Sequence, residues 1–345
     1  MSVILTGTGS DIPEITVSNE DVVNAMRVKS VEWIERWLRI KERKLFTPIN
    51  EESGKPYDVI DEIAIAAKAG RRALCDAGLQ PDDVDRLVYV TCTQDYPEYA
   101  HFSRAGMELL RSIGPSEGTA VTQMDAGCGG FVTVMNDTAK MLSGPTEDEV
   151  ALIVASHVTS KFYDRDLYAN KSDAWLTGYI FGDGAGAVVL EQEDTESGII
   201  ESYTTTLPKT KLIDFYYPEN ADKPVFKVLD SVKGTFGRLM KRGIDGLAQK
   251  QYQSQDPEDA REELLGNIDW LLSHQANKLL LDRLINDLEI DPSIAPANVH
   301  THGNLSAATL PVLLSQTSSE IEEGDTILFA AVGAGTQLAA TLISV

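Results

Sequence analysis

The sequence lacks any run of about 20 uninterrupted apolar residues, the length a membrane-crossing helix needs, so no transmembrane span is expected. Its opening residues, MSVILTGTGSDIPE, lack the basic n-region and long apolar core of a secretory signal, and a cytoplasmic location is the expectation. Basic residues are scarce: 30 Lys and Arg stand against 53 Asp and Glu, a formal net charge of −23 at pH 7. Binding to nucleic acid needs a basic face, so that class of partner is excluded. The short clusters Lys41/Arg43/Lys44, Lys209/Lys211 and Lys241/Arg242 stand out against this acidity. Each is either ordinary solvated surface or a meeting point for an acidic carrier protein or a phosphorylated cofactor. Cysteine is also rare. Three residues, an odd number with no C-x-x-C pair and no zinc spacing, read as free thiols, and no metal site is expected.

What is present fits an ordinary globular chain of 345 residues, 43% apolar and 24% charged, long enough for two packed halves. Strand and helix patterns alternate along it. VILTGTGSDIP, DVDRLVYVTCT, GTAVTQMDAG and EVALIVASHV read as strands, separated by DEIAIAAKAGRRALCDAG, FSRAGMELLRSIG and FVTVMNDTAKMLSG as helices. GDGAGAVVLEQ reads as a glycine-rich turn entering a strand. A second cycle follows residue 195: a polar helical stretch DSVKGTFGRLMKRGIDGLAQ, the strand IDWLLSHQA, two further helices, and DTILFAAVGAGTQLAATLISV as two strands meeting at a glycine turn. Such alternation implies an α/β fold with parallel strands, organised as halves 1–195 and 196–345.

Cys75 sits in a helical pattern and Cys92 ends an apolar run, so both read as buried. Cys128 differs. In MDAGCGGF it is crowded by small residues between a strand and an apolar helix, where the positive end of the helix dipole favours a thiolate. His274 in LLSHQAN ends a strand and can project into a pocket as a base or a hydrogen-bond donor. Asn304 in HGNLSAAT enters a helix, where its amide either holds a carbonyl oxygen or caps that helix. The closing GAG turn and the Cys128 N–H offer the two halves of an oxyanion hole.

Together and in this order, AGCGGF, FGDGAGAVVL, HQAN, HGNLSAAT and GAG resemble the β-ketoacyl-acyl-carrier-protein synthase III branch of the thiolase superfamily over nearly the whole chain. The resemblance implies a five-layer αβαβα thiolase-like fold of two similar halves and a homodimer. It implies a catalytic Cys128, His274 and Asn304, with the oxyanion hole at the backbone of Cys128 and Ala334. It further implies acyl-coenzyme A or acyl-carrier-protein thioesters as substrates and no permanently bound cofactor. Trp33 matches the tryptophan that stacks on adenine, while Trp37 stands at the usual arginine and Arg39 at the usual glycine. After HQAN, Lys278 and Leu279 replace the expected arginine; Trp33, Trp37 and Lys278 are therefore the candidate substrate-binding residues. Glu98 and Tyr99 fall in a loop that resembles the segment reaching across the dimer.

Two activities follow. The first is condensation of a Cys128-bound acyl group with a malonyl or β-ketoacyl thioester, in specialised fatty acid or polyketide metabolism. The alternative is transfer of that acyl group to a hydroxyl or amine of a small molecule.

Overall fold

The structure, a computed structural model, describes residues 2–94, 101–114, 117–144, 149–169, 176–208, 212–216, 219, 224–228, 231–254 and 256–345. Among them, a first sheet holds β1 (Ser2–Asp11), β4 (Arg86–Thr91), β5 (Ala120–Asp125), β6 (Ala151–His157) and β7 (Gly184–Glu193) in the order β1-β7-β6-β4-β5. A second holds β8 (Gly198–Thr206), β11 (Trp270–Ser273), β12 (Thr326–Val332) and β13 (Gln337–Ser344) in the order β8-β13-β12-β11. Both sheets follow one plan. The first strand of each lies antiparallel to the last, the last lies antiparallel to its other neighbour, and the remaining strands are parallel to one another.

Wholly parallel sheets, the simplest outcome of alternating strands and helices, are thus not what forms. The reason is visible at β12 and β13, which are joined by a four-residue turn with no helix to carry the chain back, so they can pair only antiparallel. The GDGAG segment does enter a strand, β7 beginning at Gly184 after Gly182 and Asp183.

Why the sheets stack is written in the alternation of their strands. In β6, Ala151, Ile153 and Ala155 face a central core, while Leu152 and Val154 face an outer one. In β12, Ile327, Phe329 and Ala331 face the same central core, and Leu328, Ala330 and Val332 face outward. Strands buried on both faces lose the polar alternation of a half-exposed sheet, which is why these runs read as continuously apolar.

The central layer is filled by α5 (Gly130–Leu142) and α12 (Thr309–Thr317), both apolar on most of their circumference. Asn136, fully buried in α5, has its amide satisfied by Tyr203 O, Thr204 Oγ1 and Ala340 O at 3.0–3.3 Å. Outside the first sheet lie α3 (Glu62–Asp76) and α4 (Arg104–Ile113); outside the second lie α8 (Ser231–Tyr252), α9 (Pro257–Leu265) and α10 (Lys278–Asp287). Helix, sheet, helix, sheet, helix is the five-layer αβαβα arrangement. A smaller cluster caps one end of the layers. It is built from β2 (Thr16–Ser18), α1 (Asn19–Met26), α2 (Val31–Trp37), β3 (Glu42–Lys44), α6 (Arg165–Ala169), α7 (Thr177–Ile180), β9 (Ile213–Tyr216), β10 (Val225–Val228) and α11 (Val299–His302).

Two sequence expectations fail here. Cys75 is exposed, because it falls on the solvent side of α3 while Ala73 and Leu74 take the core side. Arg43 is no surface cation: it is fully buried and its guanidinium donates to Val17 O, Asn19 Oδ1 and Tyr179 O at 2.9–3.3 Å. Burial pushes its pKa down to about 10.

A buried ion pair ties the ends of β4 and β6 together. The Glu62 carboxylate, 2% exposed, accepts from Lys161 Nζ at 2.7 Å, Thr91 Oγ1 at 2.7 Å and Thr93 Oγ1 at 2.8 Å. Burial alone would raise its pKa, but Lys161 and the hydroxyls hold it low. Removing one partner strands a buried charge, so Lys161→Met should lower unfolding free energy in urea by about 3–5 kcal/mol. The double variant Glu62→Gln/Lys161→Met should recover much of that loss; a double no more stable than the single would mean the pair is not the cause.

Candidate active site

Open α/β sheets present functional groups where parallel strands end at their carboxyl edge. Five such ends converge here. Cys92 follows β4, Cys128 follows β5, His157 closes β6, His274 follows β11, and Gly333 and Ala334 follow β12. Backbone closeness makes this possible. A Cβ built on Gly129 would lie 2.7 Å from Gly333 N, so the turn carrying Cys128 and the closing GAG turn touch only because both are bare there.

Cys128 sits in the turn just before α5 and is 8% exposed. Its Sγ lies 3.5 Å from Ser306 Oγ. The thiolate favoured by the helix end is opposed by burial, which pushes the thiol pKa up, while Ser306 and the Cys128 N–H pull it the other way. Burial wins, and the resting group is the thiol.

His274 is 1% exposed and its backbone N–H donates to Ala330 O at 2.8 Å. Burial, with the nearby His157 second, brings its pKa down to about 3, so the ring is neutral and carries a single N–H. Its Nδ1 is buried without a partner among the described residues.

Asn304, 4% exposed, is fixed by its surroundings. Its Oδ1 accepts from Ser306 N at 2.7 Å, which turns Nδ2 the other way, towards Ala276 O at 3.3 Å. One of the two amide N–H groups is left to serve a substrate. The loop itself is zipped to the FGD segment, Asn304 N donating to Ile180 O at 2.9 Å and Gly182 N to Asn304 O at 3.2 Å. At Gly182 an added Cβ would lie 1.9 Å from His302 O, so the glycine of FGDG is needed for the asparagine loop to close.

Cys128, His274, Asn304 and Ala334 line one cavity of about 160 Å³. That is room for roughly ten waters, or for a thin flexible arm. Trp33 and Trp37 stand in its wall, Trp37 being 44% exposed, and Arg283 lines it as well. A second cavity, of about 310 Å³, meets the first at Cys128, Phe181, Ile213 and Ala334, and is lined further by Cys92, His157, Ser306 and Gln337.

Other expected residues lie elsewhere. Lys278 is not in the lining of either cavity; its ammonium pairs with Asp282, which also takes Arg39 Nη1 at 2.6 Å. Arg39 has φ +54°, the left-handed region that favours glycine, and its tie to Asp282 accompanies that conformation. Lys241 lines a groove between α8 and α10 with Arg238 and Arg283. Glu98, Tyr99, Lys209 and Lys211 lie outside the described residues.

Three site residues carry no emphasis in the sequence reading: Ser306, Cys92 as a cavity residue, and His157. Cys92 is part-exposed rather than closed in a strand, because β4 ends one residue earlier. His157 had a usable signal, since VASHV closes an apolar strand on Ser-His just as WLLSHQ does. No group of His, Cys, Asp or Glu among the described residues is arranged to hold a metal, and no helix there is long and apolar enough to cross a membrane.

With this geometry in hand, the chain can be set beside known proteins. Residues 123–208 match the family described as 3-oxoacyl-[acyl-carrier-protein (ACP)] synthase III, and residues 261–345 match its C-terminal counterpart. A β-ketoacyl-[acyl-carrier-protein] synthase III from Synechocystis sp. is 28% identical, the alignment covering 98% of this chain and 96% of the relative. The crystal structure of 3-oxoacyl-[acyl-carrier-protein] synthase III from Aquifex aeolicus superposes with a TM-score of 0.79 at 22% identity, over 99% of this chain and all of that one. A tetronic acid condensing enzyme superposes with a TM-score of 0.80 at 20% identity, covering 100% of both chains. The chain is a 3-oxoacyl-[acyl-carrier-protein] synthase III-like member of the thiolase superfamily.

The two low histidine values set a pH dependence. Burial brings both His157 and His274 from 6.5 down to about 3, so below pH 6.5 the unfolded chain takes up protons that the folded chain refuses. Their contribution to stability is full above pH 6.5 and is lost as pH falls towards 3. His274→Gln should therefore show a shallower fall of Tm than the parent between about pH 6.5 and 4.5. Parallel melting curves across that range would mean the imidazole is not held neutral.

Proposed function

We propose that this protein is a condensing enzyme that carries an acyl group as a thioester on Cys128 and joins it to a malonyl or β-ketoacyl thioester. The observation that carries this reading is the meeting of a buried thiol, a neutral imidazole and an amide with an uncommitted N–H in one cavity. The chemistry balances. Cys128 exchanges its proton for the acyl group of an incoming thioester, releasing the carrier thiol. A malonyl thioester then loses carbon dioxide, and the oxygen of the resulting enolate accepts hydrogen bonds from His274 and from Asn304 Nδ2. The enolate carbon attacks the acyl carbonyl, whose oxygen is held by the Cys128 and Ala334 N–H groups, and the Cys128 sulfur leaves as a thiolate that takes up one proton from solvent to restore the thiol. Neutral donors suit this role, because an N–H placed where charge develops needs no protonation step first.

The donors are coenzyme A or carrier-protein thioesters, the arm entering past Trp33 and Trp37. The groove cations Arg238, Lys241 and Arg283 beside that entrance offset the overall acidity where a phosphorylated or acidic donor must approach. A homodimer is part of the same proposal. Among the described residues β5 is an edge strand with one side unpaired, and exposed Phe102 and Met107 lie near it at the start of α4. Work in specialised fatty acid or polyketide metabolism agrees with the altered Trp37, Arg39 and Leu279 positions.

Incubation with acyl-coenzyme A should add one acyl mass to the intact protein, and Cys128→Ala should abolish it; an adduct that survives the substitution would overturn the mechanism. Discharge by a malonyl thioester with carbon dioxide release marks condensation, whereas discharge only by a hydroxyl or amine acceptor would replace condensation with simple acyl transfer. Asn304→Ala should slow decarboxylative condensation by about 100-fold or more while slowing self-acylation much less. Equal losses in the two half-reactions would remove Asn304 from the enolate step.

A further inference from the structure

The second cavity is lined by an uneven set of groups. Phe181 and Ile213 are apolar, but the wall beyond Cys128 turns to Ser306, Cys92 and His157. Ser306 Oγ lies 3.5 Å from Cys128 Sγ and 3.9 Å from Cys92 Sγ, and Cys92 Sγ lies 3.9 Å from His157 Nδ1. A run of polar atoms thus leads away from the nucleophile along one side of the cavity. A wall meant only for a saturated chain has no use for it, since a buried polar group left without a good partner is destabilising.

His157 is the one member of this run with a ring nitrogen to offer. It is 1% exposed, and its Nε2 is engaged at 2.6 Å by Thr159 Oγ1. Its other nitrogen has, among the described residues, only the Cys92 thiol, and sulfur is a weak hydrogen-bonding partner. Burial keeps the ring neutral, with a pKa of about 3, so it does not act as a proton carrier near pH 7. The ring is also firmly placed. It follows Ser156, whose hydroxyl meets Glu62 and Tyr89, Val158 N donates to Thr93 Oγ1 at 3.0 Å, and the Phe181 ring stands 5.1 Å away. A fixed, neutral nitrogen whose one partner is a weakly bonding thiol, on a residue lining the cavity beside Cys128, is suited to an uncharged oxygen.

Resting on the proposal that Cys128 carries the acyl group, we infer that His157, with Cys92 and Ser306, is a specificity determinant for that group. It hydrogen-bonds an oxygen, hydroxyl or carbonyl, carried near the thioester end of the acyl chain. The enzyme accordingly favours oxygen-bearing acyl donors over saturated ones of equal length. A site built to bond a substrate oxygen discriminates strongly against the analogue lacking it, because its own polar atoms are then left unpaired.

The test separates the subsite from the acylation reading by measuring binding in a protein that cannot be acylated at Cys128. Calorimetry on Cys128→Ala should show β-hydroxyhexanoyl- or β-ketohexanoyl-coenzyme A bound at least about 10-fold more tightly than hexanoyl-coenzyme A. Adding His157→Leu should bring the affinities within about 2-fold, and His157→Gln, which keeps a hydrogen-bonding group, should retain part of the preference and serves as the folded comparison if the leucine variant aggregates. Equal affinities with His157 present, no binding of any of these ligands, or a preference that persists in His157→Leu would each overturn the subsite. Intact mass of the unsubstituted protein with the same donors is read separately. Adducts without a binding preference remove the subsite and leave the acyl-thioester mechanism; a preference without adducts removes the mechanism and leaves the subsite.

Discussion

Contact between two bare backbone turns is the constraint on which the site depends. The turn before α5 and the turn between β12 and β13 approach so closely at Gly129 and Gly333 that neither tolerates a side chain. Everything of chemical interest is arranged around that contact. Cys128 is one residue from it on one side and Ala334 one residue from it on the other, so two backbone N–H groups from distant parts of the chain can face a common oxygen. The five-layer stack supplies the force that holds them there, because the central core packs α5 and α12 between the inner faces of both sheets.

Burial then sets the chemical character of the groups. The same desolvation raises the Cys128 thiol, lowers both His157 and His274 to about 3, and lifts the Asp183 carboxyl of the FGDG segment to about 6. The result is a thiol and two imidazoles that stay uncharged near pH 7 on a strongly acidic molecule. Hydrogen-bond donors in such surroundings act more strongly than they would in water, which suits the holding of a negative oxygen that exists only during reaction. The Glu62–Lys161 pair is the exception that supports this arrangement from outside, fixing the strand ends that carry Cys92 and His157 without entering either cavity.

Two cavities meet at Cys128. One is lined by two tryptophans together with the imidazole and the amide; the other mixes apolar residues with Ser306, Cys92 and His157. Cys128, Phe181, Ile213 and Ala334 belong to both. In the proposed condensation, a group carried on the Cys128 thiol would lie in the second cavity while the other thioester enters through the first.

The sequence by itself determined the layered α/β plan, through runs that are apolar on both faces of a strand, and singled out Cys128, His274 and Asn304 for the site. Those residues stood out because each sits at a punctuated element end, among small residues or after an apolar strand, and because their motifs in this order resemble one family. Only the tertiary structure decided which cations reach solvent: Arg43 is enclosed by Asn19 and Tyr179, and Lys278 is turned to Asp282, neither of which local composition encodes. It alone also joined Cys92, His157 and Ser306, which are separated by as many as 214 positions, into one wall. The physical reason is that periodicity reports which face of an element is buried, whereas which buried groups meet depends on how the sheets stack and where their carboxyl edges converge.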